Sequence, residues 1–329
     1  MWCGIASSET DRHKLMGMKK MWQLWAWLKT ACGLPSKTMP QWESPETLDS
    51  LPIVRVHENE FVIRVDRGDS LELLRQPFEL DEVHWVTQLV HPAQIVLDVG
   101  ANIGYYTLLL SRLVGASGKV HAFEPDPSNA AILQRNLADN QCHNVMVHQV
   151  AVGNKDATIG LYRCADNAGM HRAYESVCCS SDAVEVRSVV LDQVMRNESR
   201  IDFIKMDIEG YEYFALEGMD RIIREYSPTI LVEFSPFALA EAGVTATAFI
   251  QFFADRNYAI SSIGSTRVPI DFDDLFARAA VFDGQAAALL KNARYKSLSA
   301  FGGYLVSEFE KMQKPFEILD SWLCEKQTR

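Results

Sequence analysis

The sequence predicts an α/β protein built on a doubly wound, mostly parallel sheet. Between about residues 95 and 265, short β-rich runs alternate with amphipathic helical stretches, the pattern of parallel strands joined by covering helices. The run Ile95–Val99 is almost wholly apolar, as expected of a strand buried on both faces, and a glycine turn follows it at once. These two observations set the fold class.

The remaining elements of this region follow in order along the chain. The predicted strands are Lys119–Glu124, Val145–Val150, Thr158–Tyr162, Val184–Val189, Ile201–Asp207, Thr229–Phe234 and Tyr258–Ile263. The predicted helices are Gly104–Leu113, Ser128–Asn140 with Ser128 as its N-cap, and two near Tyr213–Tyr226 and Thr245–Asp255. A hairpin at Val54–Val65 and a helix at Asp81–Val90 precede the sheet. A loop containing Asn167, Gly169 and His171 interrupts the alternation of strands and helices.

Both ends of the chain predict helices outside this domain. We divide the chain into an N-terminal helix and linker (1–50), the α/β domain (51–285) and a helical C-terminal extension (286–329). In Lys14–Lys29, apolar residues share one helical face, which either packs on protein or docks on a membrane surface. Near the C-terminus, apolar residues with a 4-3-4-3-4 spacing predict a helical seam formed by Leu305, Phe309, Met312, Phe316, Leu319 and Leu323. The seam either covers the domain or forms a homodimer, and we favour packing on the domain.

Composition excludes some classes of protein. A formal net charge of −11 argues against broad attraction to nucleic acid, which needs a basic face. The seven cysteines are irregularly placed with no CxxC pair, which favours reduced thiols in the cytoplasm over a zinc site. No apolar run approaches the roughly 20 residues that cross a bilayer. We therefore expect a cytoplasmic protein that does not bind nucleic acid.

The strongest motif is the turn from Asp98 to Gly104, with the sequence Asp-Val-Gly-Ala-Asn-Ile-Gly. We expect Gly100 and Gly104 to let the backbone approach a ligand at the carboxyl end of the sheet. The spacing is not the G-x-G-x-x-G of dinucleotide sites, and the Asp98 carboxylate would repel a pyrophosphate. A ligand that carries ammonium and sulfonium cations suits this acid better.

The second strand ends in an acid that indicates an adenosine ligand. Glu124 follows the glycine turn by about 20 residues, where a carboxylate can accept hydrogen bonds from both ribose hydroxyls. After the third strand, the small residue Ala151 would let an adenine ring lie against the backbone.

A third motif, Phe203-Ile-Lys-Met-Asp-Ile-Glu-Gly-Tyr-Glu212, concentrates charge at the end of a buried strand. Isolated charges in such strands are costly unless they are paired or used. Two interpretations stay open. The acids take part in chemistry, or Lys205 pairs with a neighbouring acid while Glu209 caps the next helix.

Together these motifs resemble the FkbM family of S-adenosylmethionine-dependent methyltransferases, over roughly residues 54 to 285. The resemblance rests on Asp98–Thr107, Phe123–Asp126, Leu133–Asn136, Val150–Val152 and Ile204–Glu212. It implies a seven-stranded sheet and methyl transfer, usually to a hydroxyl of a sugar, lipid-linked glycan or polyketide. Matched to the family motifs, the cofactor turn supplies Asp98, Gly100, Asn102 and Gly104, and Glu124 is the ribose acid.

The same resemblance puts the acidic motif beside the acceptor, with Asp207 and Glu209 as its matching residues. Asp207 would orient the hydroxyl, and Glu209 or His171 would take its proton. An alternative has Asp207 and Glu233 hold a magnesium ion, but two candidate ligands make no full shell, so we favour a site without metal. A nicotinamide-dependent oxidoreductase and a non-catalytic binding module on the same fold are the competing hypotheses.

Overall fold

The computed structural model describes residues 45–56, 61–65, 78–164, 171–176, 179, 183–291 and 320–327. The predicted N-terminal helix at Lys14–Lys29 and most of the predicted C-terminal seam lie outside these residues. No helix among the described ones is long and apolar enough to cross a membrane.

Thirteen strands and nine α-helices make up the described part of the chain. The strands are β1 Ile53–Val56, β2 Phe61–Arg64, β3 Ile95–Val99, β4 Lys119–Phe123, β5 Val145–His148, β6 Ala151–Val152, β7 Ala157–Tyr162, β8 Ala183–Val189, β9 Phe203–Met206, β10 Thr229–Phe234, β11 Tyr258–Ile263, β12 Arg267–Pro269 and β13 Asp320–Lys326. The helices are α1 Leu80–Leu89, α2 Tyr105–Val114, α3 Pro127–Asp139, α4 Leu191–Val194, α5 Glu212–Glu217, α6 Asp220–Tyr226, α7 Pro236–Glu241, α8 Ala246–Asp255 and α9 Phe272–Lys291.

Eight strands form the central sheet, in the order β12-β11-β13-β10-β9-β3-β4-β5. The neighbours from β10 to β5 are all parallel, whereas β13 runs antiparallel to both β10 and β11. Apolar clusters cover both faces of the sheet. The predicted doubly wound, mostly parallel fold is confirmed, with β12 as an extra strand at the edge.

The C-terminal strand β13 corrects the predicted helical seam. Leu323 lies in an extended strand whose neighbours Trp322 and Cys324 are also buried, and the Trp322 ring stacks on Phe234 with centroids 3.7 Å apart. The prediction of a helix reaching Leu323 is therefore wrong. The helix α9 itself crosses residue 285, where we had divided the chain.

The N-terminal hairpin β1–β2 is confirmed, and one buried side chain ties it to the cofactor turn. The Asn136 amide accepts from Arg64 N at 2.6 Å and donates to Ile103 O at 2.8 Å. This residue lies on α3, whose N-cap also differs from the prediction. Asp126 caps the helix by accepting from Ser128 N at 2.8 Å, because Pro127 fits the first helical position, so Ser128 is not the cap.

The interruption of the sheet is a small second sheet, in the order β6-β8-β7. Both of its predicted strands, Thr158–Tyr162 and Val184–Val189, are present within β7 and β8. The connection between β7 and β8 holds Arg172 and Tyr174. Their side chains reach the segment that follows β9, so the insertion packs at the carboxyl end of the sheet.

Candidate active site

The turn between β3 and α2 is held by the end of β4 and by the segment after β9. Gly100 N and Ala101 N both donate to Phe123 O at 3.0 Å. At Gly100, whose φ is 86°, an added Cβ would lie 1.9 Å from the carbonyl oxygen of Asp207. Glycine is required there so that the turn can pack directly against the strand end that carries the acids.

Gly104 serves packing in a similar way. Its φ is 99°, and a Cβ would lie 2.5 Å from Leu133 of α3. Both glycines thus allow close packing within the protein, and their expected approach to a ligand stays a prediction. Between them, Asn102 also has a positive φ of 49°, and its Oδ1 is buried without a hydrogen-bond partner among the described residues.

Asp98 is more deeply buried than its motif indicated, with none of its surface exposed. Its Oδ2 accepts from the Thr107 hydroxyl at 2.5 Å, while its Oδ1 has no partner among the described groups. Burial raises the pKa of Asp98, and the nearby Lys205 ammonium opposes this rise. Asp98 therefore links α2 to the charged end of β9.

Glu124 joins the cofactor turn to the end of β4. Its carboxylate accepts from Asn102 N at 2.8 Å and from Asp126 N at 2.9 Å. Burial raises the pKa of Glu124 to about 7, although these backbone hydrogen bonds lower it. Because each carboxylate oxygen can accept more than one hydrogen bond, the group can still bind two ribose hydroxyls.

The described donor and acceptor set fits S-adenosylmethionine. Asn102 Oδ1 is an unsatisfied acceptor in the turn, and Glu124 has acceptor capacity for hydroxyls at the end of the next strand. The ribose hydroxyls and the ammonium and sulfonium groups of this ligand are partners that such acceptors and carboxylates can bind. Ala151 is buried in β6, where it pairs with Ser188 of β8.

Three carboxylates converge at the carboxyl ends of β9 and β10. Oxygens of Asp207, Glu209 and Glu233 all lie within 4.8 Å of one another, and we call these three residues the acidic cluster. Glu209 is brought into the cluster by a left-handed backbone, with φ at 59°. Glu233 Oε2 is buried and has no hydrogen-bond partner among the described residues.

Two cations face the acidic cluster. Lys205 Nζ lies 3.1 Å from Asp207 Oδ2, and Arg172 Nη2 lies 3.2 Å from Glu209 Oε2. Arg172 and the Tyr174 hydroxyl also donate to the backbone oxygen of Glu209, the tyrosine at 2.9 Å. The arginine, which comes from the insertion, was not predicted as a site residue. Only its place in a polar loop beside His171 pointed to it.

Burial controls the protonation of the cluster. It raises the pKa of Glu209 to about 7, against the lowering effect of Arg172. For Glu233, burial and then the neighbouring charge of Asp207 raise the pKa well above its usual value. The cluster thus contains Glu209, whose pKa is near neutrality, and Glu233, whose pKa is raised by burial and by the charge of Asp207.

Glu212 has a structural part in the same segment. Its buried carboxylate accepts from Ile208 N at 2.9 Å and from Gly210 N at 3.2 Å. These bonds hold the turn after β9 in the same way that Glu124 holds the cofactor turn. Lys205 does pair with a neighbouring acid, Asp207, whereas the N-cap of the next helix is Tyr211 and not Glu209. That the acids take part in chemistry stays a prediction.

His171 lies away from the acidic cluster. Its Nε2 is 3.8 Å from Asp126 Oδ2, its Nδ1 accepts from Cys164 N at 3.3 Å, and Asp126 also pairs with Arg163. Burial lowers the pKa of His171. The contacts described for the histidine are therefore with residues near Glu124, and its role as a base stays a prediction.

A disulfide lies at the base of the same loop. Cys164 is bonded to Cys179, so these two cysteines depart from the expected reduced thiols. Spacing alone did not reveal the pair because the fold of the insertion brings the two residues together. Of the other described cysteines, Cys142 and Cys324 are free thiols.

Comparisons with known proteins agree with these motifs. The model of the methyltransferase FkbM domain matches residues 98–260. Methyltransferase 1 of Beauveria bassiana (strain ARSEF 2860) is 28% identical over 172 residues, which cover 46% of this chain and 68% of that protein. Methyltransferase sdnD of Sordaria araneosa is 28% identical over 156 residues, which cover 38% of this chain and 60% of that protein.

Among solved structures, methyltransferase FkbM from Methylobacillus flagellatus KT is similar to this chain. The two share 19% identity with a TM-score of 0.36, and the match covers 74% of this chain and 56% of that one.

Proposed function

The chain carries a methyltransferase FkbM domain, and from this premise we propose that it transfers a methyl group to a hydroxyl of a sugar, glycolipid or polyketide-like product. The methyl donor is S-adenosylmethionine, which supplies both the electrophilic carbon and its leaving group. The observation that carries the proposal is the packing of Gly100 on Asp207, which joins the cofactor turn to the acidic cluster.

The acids of the cluster have different tasks. Asp207, held by Lys205, accepts a hydrogen bond from the acceptor hydroxyl and orients it. Glu209, held by Arg172, takes the hydroxyl proton as the acceptor oxygen gains the methyl group. A carboxylate with a pKa of about 7 suits this task, because it is partly deprotonated at neutral pH and still basic enough to accept a proton.

The convergence of three carboxylates also supports the magnesium alternative, to which Glu209 adds a third candidate ligand. We favour the metal-free route because two of the three acids already face a cation, Asp207 with Lys205 and Glu209 with Arg172.

We expect chelation to leave methyl transfer unchanged. Incubation with EDTA, followed by gel filtration into metal-free buffer, should leave the initial rate within about twofold of the untreated enzyme. Added magnesium should have no effect. A loss of activity that magnesium restores would contradict the metal-free route and favour the magnesium alternative.

The proton transfer predicts a pH profile. Because Glu209 must be deprotonated to act as the base, kcat/KM at saturating donor should rise with pH up to about 7 and then level off. Glu209→Gln should lower the rate and abolish this limb. Glu212→Gln is the control, since burial also raises the pKa of Glu212 to about 7 but the residue holds backbone groups. If kcat/KM of Glu209→Gln still rises with pH up to about 7, a group other than Glu209 accepts the proton.

Methyl transfer itself is tested with labelled donor. Full-length protein, S-adenosylmethionine labelled in its methyl group and extract from the native cell are incubated together, and the labelled product is identified. A label that survives base but is released by ether-cleaving reagents supports an O-methyl product. Saturable donor binding with no label transferred would favour the non-catalytic module, and failure to bind the donor would contradict the proposal as a whole.

A further inference from the structure

The segment before α1, outside the matched domain, contributes a carboxylate to the site. Glu79 Oε2 accepts from the Tyr106 hydroxyl at 2.7 Å, and Tyr106 is a buried residue in the first turn of α2, directly after the cofactor turn. The preceding residue is anchored in the same place. Phe78 O accepts from the Tyr105 hydroxyl at 3.1 Å, and the two rings meet edge to face.

Glu79 adopts a backbone conformation that is unusual for its residue type. Its φ of 48° and ψ of 49° lie in the left-handed region, which favours glycine and asparagine. Such a residue persists where the surrounding structure holds it, and it is found most often at functional sites. Here the hydrogen bond from Tyr106 fixes the side chain of the strained residue.

Tyr106 connects Glu79 to the acidic cluster. The Lys205 ammonium lies 4.7 Å from the centre of the Tyr106 ring, within range of a cation–π contact, and 3.1 Å from Asp207 Oδ2. The Glu79 carboxylate also acts on Lys205 through its charge, together with the carboxylates of Asp207 and Asp98. An unbroken series of contacts therefore runs from Glu79 through Tyr106 and Lys205 to Asp207.

We propose that Glu79 is a positioning residue, which fixes the Tyr106 ring under Lys205 and thereby holds Asp207 in the orientation that receives the acceptor hydroxyl. This inference rests on the proposed function, because it depends on the role given to Asp207. It predicts that the residues upstream of the matched domain are required for turnover as well as for folding.

The backbone conformation of Glu79 offers a sharp test. Glu79→Gly relieves the left-handed backbone but also leaves the buried Tyr106 hydroxyl without this acceptor, so Tm is measured and rates are compared below the unfolding transition. A merely structural residue would leave the turnover of the folded protein unchanged. If Glu79 is a positioning residue, folded Glu79→Gly should lose about tenfold in kcat, with unchanged affinity for S-adenosylmethionine. Glu79→Gln, which keeps the size of the side chain, should also lose kcat.

The contact series is tested with Tyr106→Phe, which keeps the ring under Lys205 but removes the hydroxyl that Glu79 accepts from. Both substitutions alter the same hydrogen bond, the one from the Tyr106 hydroxyl to Glu79. The double variant Glu79→Gln with Tyr106→Phe should therefore lose no more kcat than the single variant with the larger loss. Glu82→Gln is the matched control. It removes an acid of α1 that accepts from Ser321 Oγ at 3.0 Å, and it should leave kcat unchanged.

The rate is measured as label transferred from S-adenosylmethionine to the acceptor fraction of native extract, and donor affinity is measured by calorimetry. If the wild-type protein transfers no label, the proposed function fails before this inference is reached. If the wild-type protein is active and Glu79→Gly keeps full kcat, or if the two single losses multiply in the double variant, the positioning role is wrong.

Discussion

Asp207→Asn should lower turnover at least about a hundredfold while the affinity for S-adenosylmethionine changes little, in line with the loss of a positioned acid–base group. The substitution keeps the size of the side chain. It removes the charge that Lys205 faces at 3.1 Å and replaces one acceptor oxygen with an amide donor, so a hydroxyl can no longer be oriented by a carboxylate. Initial rates of label transfer and donor calorimetry on the same preparation separate the two effects.

Asp202→Asn is a matched control for this experiment. Asp202 lies just before the other end of β9, where its carboxylate accepts from Ile95 N at 2.8 Å. Its substitution should affect stability and leave turnover near normal. Thermal unfolding of both variants shows whether a loss of rate is a loss of folded protein. Near-normal turnover in folded Asp207→Asn would contradict both the metal-free and the magnesium route.

The parallel half of the sheet could be predicted from the sequence because its signals are local. Each strand is a short apolar run, and each is followed by a polar or glycine-containing turn and a helix. Ile95–Val99 and Tyr258–Ile263 coincide with the observed strands β3 and β11. The predicted start of a helix was less accurate where two nearby residues could each act as its N-cap, as with Asp126 and Ser128.

The strand β13 could not be predicted in this way. It is covered on both faces, so Trp322, Leu323 and Cys324 are all buried and the alternation that marks a half-exposed strand is absent. In the sequence, Leu323 instead continues the helical spacing of apolar residues that begins at Leu305, which is why a helix was predicted there. Its conformation is set by pairing with β10 and β11, which are distant in sequence.

The acids of the acidic cluster were candidates from the sequence, which also predicted that Asp207 and Glu233 end adjacent strands, but the convergence of all three was not predicted. Glu209 joins the acidic cluster because its backbone is left-handed, a property that its residue type does not indicate. Arg172 reaches the cluster from an insertion with no motif, and Glu79, upstream of the matched domain, is connected to it only through Tyr106 and Lys205. Contacts of this kind depend on packing between distant segments, which no local pattern specifies.

Glu124→Ala should weaken the binding of S-adenosylmethionine by about 10- to 150-fold, since a hydrogen bond to a charged group contributes roughly 1.5–3 kcal/mol. The carboxylate has two functions that the experiment must separate. It accepts from Asn102 N and Asp126 N within the protein, and we propose that it also binds the ribose hydroxyls. Loss of the first function lowers stability, whereas loss of the second lowers affinity in the protein that remains folded.

Glu212→Ala supplies the comparison, because Glu212 is an equally buried acid that accepts from two backbone N–H groups at the end of another strand. Both substitutions should lower Tm by similar amounts. Donor affinity is measured by calorimetry at a temperature below the unfolding transitions of both variants, and only Glu124→Ala should weaken it. S-adenosylhomocysteine, which keeps the ribose and lacks the methyl group, should lose affinity in parallel with the donor. Unchanged affinity in folded Glu124→Ala, or an equal loss in Glu212→Ala, would contradict the assignment of Glu124 as the ribose acid.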